Sequence, residues 1–190
     1  MLKNKKNIIN RKLEEIVRKI AKCRECKKGK SGLPVVGEGN VFSKVMFVGE
    51  APGRKEAETG RPFVGRAGKL LTELLESIGI DRQDVYITSP VKYYPGRRTP
   101  KDFEVKHGTI HLVEQIEAIN PKLIVLLGRV AHKALIGEVQ ITKTHGKIFK
   151  KDGRFYFSTF HPAAALRFPK IKKIMRKDFA DLRKIYSDLK

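Results

Sequence analysis

Acidic residues and long apolar runs are both scarce in this chain. No stretch approaches the ~20 consecutive apolar residues that a bilayer-spanning helix needs, so no membrane span is expected. The basic start, Met1-Leu2-Lys3-Asn4-Lys5-Lys6, leads into no continuous apolar core and no small-residue cleavage site. No signal peptide is therefore expected, and the default location is a reducing cytoplasm, nucleoid-associated in a prokaryote. Only 20 acidic residues face 41 basic ones, for a net charge of +21. A lysine-rich thermophilic composition would enrich glutamate as well. The imbalance points instead to a polyanionic partner, because each neutralised phosphate releases counterions. The excess is greatest at the two ends. Residues 1–30 carry twelve Lys/Arg against three Glu, and residues 166–190 carry nine against three Asp. Both ends read as flanks of a phosphate-tracking surface.

What is present organises as strands alternating with helices. Residues 8–21 form a helical pattern, with Ile9, Leu13, Ile16, Val17 and Ile20 on one stripe. A basic helix over 170–188 repeats the pattern at the far end with Ile171, Ile174, Met175, Phe179, Leu182 and Ile185. Strands are expected at 44–49, 84–88, 122–127 and 154–160, with helices at 66–78, 102–119 and 129–136 between them. Strand–helix alternation predicts an α/β fold: a three-layer α/β/α sandwich around a central, mostly parallel four-stranded sheet. At 190 residues, with no repeat and no long linker, one domain over 1–190 is expected, acting as a monomer.

The strand ends carry the chemistry. Val45-Met46-Phe47-Val48 runs into Gly49-Glu50-Ala51-Pro52-Gly53, which puts an acid where open α/β sheets bind ligands. Glycines allow close approach to the backbone, and proline stiffens the turn. Gly60-Arg61-Pro62-Phe63-Val64-Gly65 then offers an aromatic ring on a second rigid loop. An acid beside an aromatic platform suits a flat, polar, uncharged ring such as a nucleobase. The second strand ends in Thr88-Ser89-Pro90, the third in Gly128-Arg129 and the fourth in Phe160-His161-Pro162. If the strand ends share one edge, Glu50, Ser89 and His161 converge. Each has a structural competitor: Phe63 as a core plug, Glu50 as a cap, His161 as a satisfied core histidine. His107, His111, His132 and His145 are expected at surface or phosphate-side positions.

At these residues the chain resembles the uracil-DNA glycosylase superfamily, specifically the family 4 enzymes of archaea and thermophilic bacteria. The resemblance runs from Cys23-Arg24-Glu25-Cys26 through Val36-Gly37-Glu38-Gly39-Asn40, Gly49–Gly53, Gly60–Gly68, Asp84–Thr88, Val91-Lys92 and Asn120-Pro121. It continues through Ile141-Thr142-Lys143 and Gly146 to Phe160-His161-Pro162. It implies a base flipped from DNA and cleavage of its N-glycosidic bond, with negative charge building on the leaving base. By resemblance, Phe63 stacks on uracil. Glu50, with Gly49 and Ala51, lines the water and base pocket, Glu56 helps hold the loop or the water, and His161 donates to the uracil O2. Glu50 and His161 are thus the expected catalytic pair. DNA contacts fall to Arg61, Lys92, Lys143, His145, Leu166 and Arg167, with Leu166 and Arg167 where the superfamily places its minor-groove wedge. Alternatively, Leu166 merely begins the last helix.

Two departures bear on cofactor and substrate. Family 4 enzymes hold a [4Fe–4S] cluster on four cysteines; here Cys23 and Cys26 match the first pair, the third position falls on Tyr93 and the fourth at or next to His107-Gly108. A complete cluster is not expected from two thiolates. The pair can hold zinc with two histidines, but His107 and His111 lie far downstream on a helix, so a dithiol or disulfide beside Tyr93 is expected. The second departure is Ser89, where the family has the asparagine that reads the uracil edge. The expected function is monofunctional excision of uracil from single- or double-stranded DNA. The alternative is a divergent paralogue with altered base specificity or without catalysis. A covalent product complex through His145 would need a basic insertion that Thr142–Gly146 lacks.

Overall fold

The fold is given by a computed structural model that describes residues 2–188. Helix α1 (Leu2–Lys22) starts earlier than its apolar stripe, and the short α2 (Arg24–Lys27) follows it. The sheet strands are β1 (Glu38–Gly39), β2 (Val45–Val48), β3 (Tyr86–Thr88), β4 (Leu123–Leu127), β5 (Ile148–Lys151) and β6 (Arg154–Thr159). Between them lie α3 (Arg54–Thr59), α4 (Arg66–Glu76), a 3₁₀ turn at Arg82–Asp84, α5 (Asp102–Ile119), α6 (Arg129–Leu135) and α7 (Ile141–Thr144). The chain closes on α8 (Pro162–Arg167) and α9 (Pro169–Ser187). No helix among the described residues is long and apolar enough to cross a membrane.

The sheet has six strands in the order β1-β3-β2-β4-β6-β5, two more than the sequence predicts. The four expected strands form the parallel centre, and the two additions pair antiparallel at the edges. Both additions evade an apolar pattern: β1 is two residues long, and β5 is mostly exposed and ends in Lys150-Lys151.

Alternate side chains of the central strands feed two cores, as the period of two requires. Val45, Phe47, Val125 and Phe157 pack on one face with Leu71 and Leu75 of α4 and with Met175, Phe179 and Leu182 of α9. Met46, Val48, Ile124 and Leu126 pack on the other with Leu112, Ile116 and Ile119 of α5. The three-layer sandwich follows. A third cluster joins Ile16 and Ile20 of α1 to Cys26 and Tyr93.

Register places the strand ends level. Val48 pairs with Thr88 on one side and Leu126 on the other, and Leu126 pairs with Ser158. Two loop bonds continue this alignment past the strands: Gly49 N–H donates to Thr88 O at 2.8 Å and Gly128 N–H to Thr159 O at 2.8 Å. From β2 the chain builds to β3 on one side and later to β4 on the other. The crevice at that reversal is where open parallel sheets take ligands.

Candidate active site

A cavity of ≈ 320 Å³ opens at this edge, and Glu50, Glu56, Phe63, Ser89 and His161 all line it. The strand ends therefore converge as expected. A larger cavity of ≈ 820 Å³ lies against Glu38, Arg61 and Arg82 and contains neither Glu50 nor His161.

The Phe63 platform is held from several sides. Phe63 has φ +50, a backbone conformation that side chains seldom adopt. Its neighbours fix it there: Glu56 Oε1 accepts from the backbone N–H of Val64 at 2.9 Å and of Gly65 at 2.7 Å. Gly49 lies directly beneath the ring, where a Cβ would stand 2.7 Å from two ring carbons. The buried carboxylate of Glu56 thus serves the loop rather than the cavity centre.

His161 caps α8. Its Nδ1 accepts from Ala163 N–H at 3.1 Å, which leaves the ring proton on Nε2. Burial pushes its pKa down to about 4, so at neutral pH the ring is an uncharged N–H donor. Its ring sits 5.7 Å from that of Phe63, tilted by 33°. Gly128, with φ +88, makes this approach possible; a Cβ there would lie 2.9 Å from the Cβ of His161. The Gly128-Arg129 turn, which the sequence offers only as a strand-to-helix connection, is therefore the seat of the histidine.

Burial raises the pKa of Glu50 above the usual carboxylate range, and the nearby Arg129 charge opposes that rise. The Ser89 hydroxyl is buried and donates to Val91 O at 2.8 Å, so its lone pairs, and not its proton, remain for a ligand.

The expected DNA-facing residues divide. Arg167 lines the cavity and Leu166 is exposed in α8, ahead of the last helix rather than within it. Lys143 is exposed on α7. Arg61 is exposed but held bidentately by Glu38 at 2.7 and 2.8 Å. His145 is half-buried, bonded through Nδ1 to Asp178 Oδ1 at 3.0 Å and set against the Phe160 ring. Lys92 corrects the expectation outright. It is 1% exposed, with Nζ donating to Thr88 Oγ1 at 2.9 Å, Gln115 Oε1 at 2.7 Å and Val36 O at 3.2 Å. Burial pushes its pKa down to about 7, and it cannot reach a phosphate.

Arg97 and Arg98 line the cavity without having been singled out in the sequence. Arg98 is anchored by two bonds to the buried Glu104, at 2.6 and 2.8 Å, and this guanidinium holds the Glu104 carboxyl down to about 2. The Pro95-Gly96 turn between two aromatic and two basic residues is the local signal that could have marked them. Cys23 and Cys26 lie outside the cavity but not alone: His107 and His111 come to them, and His111 and His132 are buried rather than surface residues.

The model of the uracil DNA glycosylase superfamily matches residues 36–190. The chain is 40% identical over 185 residues to a type-4 uracil-DNA glycosylase of Sulfurisphaera tokodaii, covering 91% of this chain and 84% of that one. It is 42% identical over 178 residues to the type-4 enzyme of Archaeoglobus fulgidus, covering 88% and 89%. With the type-4 enzyme of Thermotoga maritima the identity is 45% over 160 residues, covering 82% and 83%.

Lys92→Ala is expected to destabilise the protein by about 2–4 kcal/mol, since it leaves a cavity and takes three hydrogen bonds out of a buried polar network. Denaturant unfolding measures that loss. The salt dependence of DNA affinity should not change, because no phosphate contact is removed.

Proposed function

The chain belongs to the uracil-DNA glycosylase superfamily, and from that premise we propose that it excises uracil from DNA by monofunctional hydrolysis in the ≈ 320 Å³ cavity. The observation that carries this reading is the neutral His161, with its Nε2–H free to donate beside the Phe63 ring. A flipped uracil stacked on Phe63 presents its O2 to that donor. As the C1′–N1 bond breaks, its electron pair leaves with the base, and negative charge grows on O2 and N1. A fixed N–H dipole aimed there stabilises that charge without reorganising.

Glu50, which lines the same cavity, acts as the anion. It orients water towards C1′ and offsets the positive charge on the sugar. Water supplies the new C1′–O bond, and its proton ends on the departed uracil. Among the described residues no lysine lines the cavity to form a Schiff base, which supports hydrolysis over lyase chemistry. Ser89 bears on selectivity. With its proton committed to Val91 O, its oxygen can accept the N3–H of uracil, whereas cytosine presents a bare N3. Exposed Leu166, with Arg167 beside it, is suited to fill the gap in the base stack.

The direct test is incubation with labelled DNA containing U:G, U:A, hypoxanthine or xanthine, followed by alkali. Strand cleavage at uracil is expected. Binding without cleavage of any substrate would leave only the DNA-binding paralogue.

The pH profile follows from the two shifts. Glu50 works ionised, so the single-turnover rate should rise with pH through its raised pKa, on a limb above the ordinary glutamate value of about 4.3. His161 is already neutral above about 4 and adds no limb there. Glu50→Gln should abolish the limb and lower the rate by about 10²–10⁴-fold; a limb that survives the substitution would remove Glu50 from the chemistry.

Ser89→Asn should favour uracil further over cytosine, because the amide adds a donor for the uracil O4, where cytosine carries an amino group. An unchanged preference between uracil- and cytosine-containing DNA would show that position 89 does not face the base.

A further inference from the structure

We propose that Cys23, Cys26, His107 and His111 bind one tetrahedral Zn²⁺ as a closed structural site, in place of the iron–sulfur cluster that the family resemblance implies. The cluster does not fit this chain. It has two cysteines in all, and Tyr93 stands at the third ligand position, buried against Cys23 and Cys26. A cubane also carries its terminal ligands outward from four separate irons, whereas the four donor atoms here all lie within 4.8 Å of one another.

That spacing suits a single ion. With Zn–S near 2.3 Å and Zn–N near 2.0–2.1 Å, a tetrahedron puts its donor atoms about 3.3–3.8 Å apart. Cys23 Sγ and His107 Nε2 are 3.1 Å apart, so the set needs only small adjustments to close around an ion. The spacings C-x₂-C and H-x₃-H are those of Cys₂His₂ zinc sites. His107 and His111 are four residues apart on α5 and so share one face of the helix. Two thiolates and two neutral imidazoles balance a divalent charge.

The surroundings point to a ligand independently. His111 Nδ1 is bonded to Glu114 Oε2 at 3.1 Å, which fixes the tautomer and leaves Nε2 for an ion. The other Glu114 oxygen accepts from Lys19 of α1 at 2.8 Å. A carboxylate behind a ligating histidine is the usual outer-shell partner of zinc. On the thiolate side, Cys26 N–H donates to Cys23 Sγ at 3.3 Å. None of the four residues lines the cavity, so the ion has no part in the chemistry. Its place is to clamp α2 to α5, 84 residues apart at Cys23 and His107, and to brace Tyr93 at the root of the segment that carries Arg98.

The assignment stands apart from the glycosylase reading and is tested without activity. Elemental analysis of freshly purified protein should give one zinc per chain, no iron or sulfide, and no visible colour. Apoprotein refilled with Co²⁺ should show the intense visible bands of a tetrahedral S₂N₂ site with thiolate charge transfer. His111→Ala and Cys26→Ser should lose both signatures. Since these variants can also unfold, Glu114→Gln keeps every ligand and should weaken Zn²⁺ in a chelator competition by about 10–100-fold. Iron with sulfide and visible absorbance would overturn the proposal. So would a cobalt spectrum without thiolate charge transfer, or full zinc occupancy in the His111→Ala variant.

Discussion

The carboxylate of Glu56 is the constraint on which the site depends. Two backbone N–H groups, from Val64 and Gly65, converge on one of its oxygens, and that pins the loop with Phe63 in a left-handed conformation. Such a residue is strained by roughly 1–3 kcal/mol and persists only where its surroundings over-determine it. Here the surroundings are Glu56 on one side, Gly49 under the ring and Gly68 under the backbone, where a Cβ would strike Phe63 O at 1.8 Å. The platform is rigid because three parts of the chain hold it at once. A ring held in this way costs a ligand nothing to order.

The parallel centre of the sheet was legible because fully buried strands read as unbroken apolar runs, and Val45–Val48 and Leu123–Leu127 are such runs. The convergence of Glu50, Ser89 and His161 followed from topology, since parallel strands put their ends on one edge. The edge strands were not legible. Two residues at Glu38–Gly39 carry no period, and β5 is held by pairing with β6 rather than by burial of its own side chains.

Side-chain fates across long sequence distances were hidden for a different reason. A lysine just past a strand end is normally solvated, so Lys92 read as a phosphate contact; only the acceptors of Thr88, Gln115 and Val36, brought by three separate segments, make its burial tolerable. His107 and His111 have the spacing of a ligand pair, but nothing local says that α5 packs against the turn at Cys23–Cys26. That meeting is made by the apolar faces of α1 and α5, and spacing along the chain does not encode it.

His161 has a consequence for how this site responds to change. One ring nitrogen starts helix α8 and the other carries the ring proton, so the charge state of the ring and the geometry of the helix are a single variable. Protonation would set two N–H groups against each other at Ala163 and loosen the six-residue helix that carries Leu166 and Arg167. Replacing the ring does the same by another route. Any loss seen on altering position 161 is therefore a product of two factors, one electronic and one mechanical, and a residue that restores the cap without the donor is what would separate them.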